Sequence, residues 1–148
     1  MRLPAVGCSA VIQEHGRALL VRRGRPPARG LWALPGGKVE WGEPVARGLE
    51  REIREETGLT VRVEKLLGYQ DAIMSDGGDV SSHYVILCFA VEPVGGRVRC
   101  GDDADELRWV TAEELEGLEL IRGTVEFLSR AGFPGSPRPT RSPDSPGA

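Results

Sequence analysis

The chain has 148 residues, 40% hydrophobic and 28% charged, with a formal net charge of −3. That is the length and balance of one soluble globular domain, with no room for a second full one. No basic face stands out, which argues against a nucleic-acid polymer as partner, and no apolar run approaches membrane-spanning length. Three cysteines, Cys8, Cys88 and Cys100, are odd in number and lack C-x-x-C spacing. They read as inert thiols of a reducing compartment rather than a disulfide frame or a zinc site. Met1 to Gly7 carry no secretion signal, so the expected location is cytoplasmic.

Two apolar runs, Ala5 to Ile12 and Ala18 to Val21, flank Glu14-His15-Gly16 and predict a β-hairpin. Arg22 to Gly30 is a basic, Pro-containing loop, and Leu31 to Leu34 reads as a short buried strand ended by Pro35-Gly36-Gly37. Pro44 suits the first position of a helix that runs to Thr57 and stops at Gly58. Val45, Leu49 and Ile53 recur at helical spacing and give that helix a core face. Leu59 to Leu67 alternates apolar and charged residues, as a half-buried strand does, and Tyr69 to Met74 continues it past a kink at Gly68. Ser75 to Asp79 is a polar loop. His83 to Val91 is the strongest strand signal, with the nearly continuous apolar run of a sheet centre. Val94-Gly95-Gly96 reads as a turn and Leu107 to Val110 as a further strand. Thr111 to Glu114 matches a capping box that starts a second helix, and Gly123 to Arg130 is a third helical stretch. From Pro134 onward the chain is rich in Pro, Ser and Gly. The domain is therefore expected over 1–133, with a disordered or loosely docked tail over 134–148. Strands and helices in this order predict a mixed α/β domain with helices covering a sheet.

The chemistry is concentrated between Gly37 and Leu59. Glu52, Glu55 and Glu56 lie at i, i+3 and i+4, so a helix gathers them on one side, next to its core face. Crowded carboxylates repel one another. A hard divalent cation removes the conflict, because Mg²⁺ takes oxygen ligands and keeps open positions for water or phosphate. Gly36 and Gly37 allow close backbone approach, so a carbonyl there can add a ligand. Glu43 can reach the cluster through water, and Arg51 can pair with a carboxylate and hold its geometry. The bland reading of the same helix is a solvated, charge-paired face.

The segment resembles the Nudix box, G-x5-E-x7-R-E-U-x-E-E-x-G-U with U a bulky apolar residue. Gly37, Glu43, Arg51, Glu52, Ile53, Glu55, Glu56, Gly58 and Leu59 meet every specified position. The resemblance implies a Nudix α/β/α sandwich with a mixed β-sheet between helices. It implies that Glu52, Glu55 and Glu56 bind Mg²⁺ or Mn²⁺, assisted by the backbone carbonyl of Gly37 or Gly36. It also implies a pyrophosphohydrolase acting on nucleoside diphosphates linked to another moiety, and it allows a homodimer that shares strands. Water would attack a phosphorus of the pyrophosphate bridge. The base is Glu52 or a carboxylate outside the box, for which Asp102, Asp103, Asp105 and Glu106 are candidates; that run reads equally as a solvated loop.

Arg22, Arg23 and Arg25 either contact phosphate or keep an exposed loop soluble. Trp32 either stacks on a base or belongs to the core or its rim. Lys38 either meets a phosphate or faces solvent, and His83 reads as a polar strand end. His83 to Leu87, with Gly101 to Val110, resembles the compact ADP-ribose pyrophosphatase branch, which forms AMP and ribose 5-phosphate. The alternatives are a triphosphate pyrophosphatase of the oxidised-dGTP sanitising type and, further off, a nucleotide sensor without turnover, which usually loses box carboxylates. On the ADP-ribose reading Arg22, Arg23, Trp32, Asp103 and Glu106 contact the substrate.

Overall fold

The computed structural model describes residues 2–101 and 104–134. Asp102, Asp103 and all of the expected tail beyond Pro134 lie outside the described residues. Within them the order is β1 (Ala5–Glu14), β2 (Arg17–Arg23), β3 (Trp32–Ala33), β4 (Gly36–Lys38), α1 (Val45–Thr57), β5 (Leu59–Asp76), β6 (Asp79–Gly96), β7 (Ala104–Val110), α2 (Ala112–Leu115) and α3 (Thr124–Arg130). The described strands form one mixed sheet in the order β3-β2-β1-β6-β5, with β4 paired to β1 and β7 paired to β2. β1 and β6 run parallel, from Ala5↔Tyr84 to Ile12↔Val91. The other pairings are antiparallel.

Side chains alternate across a strand, so β1 feeds two cores. Cys8, Ala10 and Ile12 pack with Leu49 and Ile53 of α1, while Val11 packs with Phe127 and Leu128 of α3. Helices therefore cover both faces, and the architecture is the expected α/β/α sandwich. Leu49 and Ile53 are fully buried. Each contributes about 1.5–3 kcal/mol of apolar burial, which fixes the rotation of α1 and with it the side on which its glutamates stand. The helix ends at Gly58, whose φ of 80° is left-handed and whose N–H donates to Arg54 O.

Three expectations change. Pro35-Gly36-Gly37 does not simply end a strand: Gly36–Lys38 forms β4 and pairs with Gly7, Cys8 and Ser9 of β1. The approach needs glycine, since a Cβ on Gly36 would overlap Cys8 O. Val94 to Gly96 is not a turn but the end of β6, where Gly95 and Gly96 pair with Thr60 and Leu59. Pro44 is the residue before the helix, with ψ at 140° rather than helical. The kink at Gly68 stands as a register shift in β5, and the loop at Ser75–Asp79 narrows to Gly77-Gly78 between paired Asp76 and Asp79. The capping box at Thr111 is formed in full.

Candidate active site

β4 and the glutamate side of α1 face each other, and the backbone of β4 is the other wall of the site. Gly36 N–H donates to Glu56 Oε1 at 2.9 Å. Two residues on, the Lys38 carbonyl turns the same way and accepts from Arg51 Nη2 at 3.0 Å. Gly37, between them, turns to β1, where its carbonyl lies 3.6 Å from the Cys8 thiol. A Cβ on Gly37 would overlap the Glu52 carboxyl, so the box glycine is a seat for that side chain.

Arg51 sits at the centre. Its Nε and Nη2 clamp both oxygens of Glu43 at 2.8 and 3.0 Å, and its Nη1 donates to Glu52 Oε1 at 3.0 Å and to Glu55 Oε2 at 3.2 Å. Glu40 adds a fourth carboxylate 3.9 Å away. The Arg51 hydrogen bonds hold the Glu43 carboxyl down at about 2 and, chiefly through Glu43, reinforce the charge on Arg51 itself. Burial pushes Glu52 up, against the pull of Arg51, and pushes the Cys8 thiol up to about 11. Glu55 is mostly solvent-exposed. Among the described residues no three carboxylate, imidazole or thiol groups are gathered as a ready cage. The carboxylates are ordered around a guanidinium instead.

The other predicted contacts form a second cluster, on β2, β3 and β7. Arg22 pairs across to both Trp32 and Glu106. Trp32 is buried, and its ring face is taken by Arg108, 4.8 Å from the ring centroid, with Arg22 at 5.9 Å. Glu106 lies 3.0 Å from Arg108 and 3.7 Å from Arg22. Trp32 is thus a core ring capped by cations, and an exposed stacking face is not what it offers. Arg23 folds its own loop, donating from Nε to Pro27 O at 2.8 Å. The Lys38 side chain is exposed, and His83 stands 3.6 Å from Asp71 across β5 and β6.

Sequence reasoning passes over Arg108, the backbone of Lys38 and the fully exposed ring of Trp41. The i, i+2 spacing of Glu106 and Arg108 is the one available signal for the first, since both must share a face of β7. Backbone roles leave no signal in residue type.

A family model described as the NUDIX domain matches residues 1–130. The chain belongs to the Nudix hydrolase family. Membership implies phosphoanhydride hydrolysis of a nucleotide substrate with divalent metal. Among curated proteins this Nudix hydrolase is similar to the ADP-ribose pyrophosphatase of Methanocaldococcus jannaschii, 38% identical over 115 residues, which cover 78% of this chain and 66%, just under two thirds, of that one. It is also similar to nucleoside triphosphatase NudI of Enterobacter sp., 34% identical over 143 residues, 90% of this chain and 99% of that one. Among solved structures, the MutT NUDIX hydrolase of Burkholderia pseudomallei superposes with a TM-score of 0.74 at 36% identity, over 87% of this chain and 98% of that one. No helix among the described residues is long and apolar enough to cross a membrane.

Proposed function

We propose that this Nudix hydrolase cleaves a nucleoside diphosphate linked to a second moiety, splitting ADP-ribose into AMP and ribose 5-phosphate. The observation that carries the reading is that Glu52 and Glu56 of α1 are laid against the glycine strand β4, with Glu55 held beside them by Arg51. The resemblance to an archaeal protein named for ADP-ribose points it to that substrate.

The donors suit a hard divalent cation. They are all oxygens, and Glu52 is seated where a side chain on Gly37 would exclude it. Glu52, Glu55 and Glu56 would hold Mg²⁺ or Mn²⁺. Gly36 is the better choice for the carbonyl ligand, because the Gly36 N–H and the Lys38 carbonyl turn to α1 and both backbone groups of a strand residue point the same way, whereas the carbonyl of Gly37 is turned to Cys8. The bound ion supplies neutralisation of diphosphate charge and a more acidic water. Arg51 keeps Glu52 and Glu55 in place through hydrogen bonds from one nitrogen, and Glu43 anchors Arg51 through the paired contact that fixes a guanidinium in plane. Glu52, seated against Gly37, accepts the proton of the attacking water. Arg22, held to Trp32 and Glu106, meets the anionic substrate on the β2 side.

Product analysis after incubation with ADP-ribose and Mg²⁺ tests this reading: AMP and ribose 5-phosphate are expected. The similarity to a nucleoside triphosphatase over nearly its whole length favours a second reading, in which a triphosphate is cleaved with release of pyrophosphate. Faster turnover of an oxidised dGTP than of ADP-ribose selects that reading. Binding of both with turnover of neither defeats the two together.

A further inference from the structure

Thr57 is fully buried at the end of α1. The box pattern leaves its position open, between Glu56 and Gly58. Shape alone does not call for threonine there, since valine has nearly the same outline without the polar atom. A buried hydroxyl needs partners, and this one has two. Thr57 Oγ1 donates to Ile53 O at 2.6 Å and accepts from Leu59 N–H at 3.1 Å. The two bonds run head to tail, so each polarises the other. The Thr57 carbonyl in turn accepts from Arg99 N–H at 2.6 Å.

Both partners of the hydroxyl are fixed points. Ile53 is fully buried in the core with Cys8 and Ala10 of β1, and Leu59 opens β5 by pairing with Gly96. The bond to Ile53 O closes over Arg54, Glu55 and Glu56. The bond from Leu59 N–H closes the left-handed turn at Gly58, where φ is 80°. The two box glutamates therefore ride on a turn pinned at both ends through one oxygen. Their carboxyls reach out from it, Glu55 to Arg51 Nη1 at 3.2 Å and Glu56 to Gly36 N–H at 2.9 Å. The height and roll of the turn set where both stand.

We propose that Thr57 is a positioning residue for the hydrolysis: its buried hydroxyl, tied to Ile53 O and Leu59 N–H, locks the turn that presents Glu55 and Glu56 to the metal. The inference rests on the reading of those glutamates as metal ligands. Loss of a group that orients metal ligands from behind costs about 10- to 100-fold in metal affinity or activity.

T57V and T57S in the full chain test this. T57V keeps the shape and removes both bonds, whereas T57S keeps both bonds and removes a methyl group. Mn²⁺ affinity by water-proton relaxation and steady-state kinetics with Mg²⁺ and ADP-ribose would be measured well below the thermal midpoint of each variant. T57V should weaken Mn²⁺ binding and lower kcat, each by about 10-fold or more, with KM little changed. T57S should restore both toward wild type although its midpoint falls with the lost methyl group. A hydroxyl that only stabilises the fold would lower the midpoint of T57V and leave its Mn²⁺ affinity and kcat at wild type, and that result overturns the proposal. So does a T57S as impaired as T57V. Should T57V fail to fold, T57C, which keeps the volume with a weaker donor, decides by the same readouts. Should the wild type bind Mn²⁺ but cleave no nucleotide, the proposed function falls, and the Mn²⁺ affinities still decide the role of Thr57. Wild-type Mn²⁺ affinity in both E55Q and E56Q would instead remove the metal reading and this proposal with it.

Discussion

Among the described residues, two guanidinium clusters are built with opposite balances. Around Arg51, the carboxylates of Glu40, Glu43, Glu52 and Glu55 share one cation. Around Trp32, Arg22 and Arg108 share the carboxylate of Glu106. Within the described residues the first cluster is short of positive charge and the second of negative. An acid surplus that one arginine holds in place suits a site that takes up a divalent cation. A base surplus stacked on a buried ring suits a wall that faces an anion. Substitutions in the two clusters should therefore differ in kind as well as in size.

The largest effects belong to the box. Glu55→Gln and Glu56→Gln each remove a charged oxygen from the proposed metal site, and each should lower kcat by about 10²-fold or more. Circular dichroism should stay native, because neither residue contributes to the apolar core. Near-wild-type turnover in both would remove the metal assignment. Arg51→Gln comes next. It leaves four carboxylates without their cation, so the thermal midpoint should fall, and added Mg²⁺ should raise it by more than in the wild type. Arg51→Lys should fail to restore activity, since a single ammonium cannot clamp both oxygens of Glu43. A lysine variant with full activity would mean that charge alone matters there.

Glu43 gives the same cluster a signature in acid. Its folded pKa of about 2 lies below its ordinary 4.5, chiefly through the Arg51 hydrogen bonds. The pair therefore stabilises the fold above pH 4.5, and that contribution is lost as pH falls from 4.5 toward 2. Glu52 acts the other way, because burial raises it: its contribution weakens as pH rises through the ordinary carboxylate range. Urea midpoints followed from about pH 5 to about pH 2.5 should fall more steeply in the wild type than in Glu43→Gln. Parallel slopes would show that Glu43 is not the group being protonated.

How far these clusters could be read from residues depends on how local they are. Glu43, Arg51, Glu52, Glu55 and Glu56 lie on one helix and its approach, so helical spacing puts them together before any tertiary contact is known. The core face through Leu49 and Ile53 is legible for the same reason. β4 is not, because Gly36 and Gly37 have poor intrinsic strand preference, and they become a strand only because β1 accepts them at close range. Gly95 and Gly96 repeat the lesson in β6. The Trp32 cluster draws on three strands, and nothing near Arg108 in sequence announces Trp32. Its partner is set by the pairing of β7 with β2, a contact across more than eighty residues.

That second cluster should yield the smallest effects. Arg108 is about half-exposed, and its place over Trp32 is worth about 0.5–1 kcal/mol at a site of this kind. Arg108→Gln should lower unfolding stability by that amount and leave kcat near the wild-type value. It should also uncover one face of the Trp32 ring, so quenching of tryptophan fluorescence by acrylamide should rise above the background set by exposed Trp41. KM should increase if the Arg108 charge beside Glu106 meets the substrate, because loss of a contact made equally in ground and transition states raises KM alone. A fall in kcat with KM unchanged would instead assign Arg108 to the reacting centre, and the contrast between a metal-holding cluster and a substrate-facing one would no longer hold.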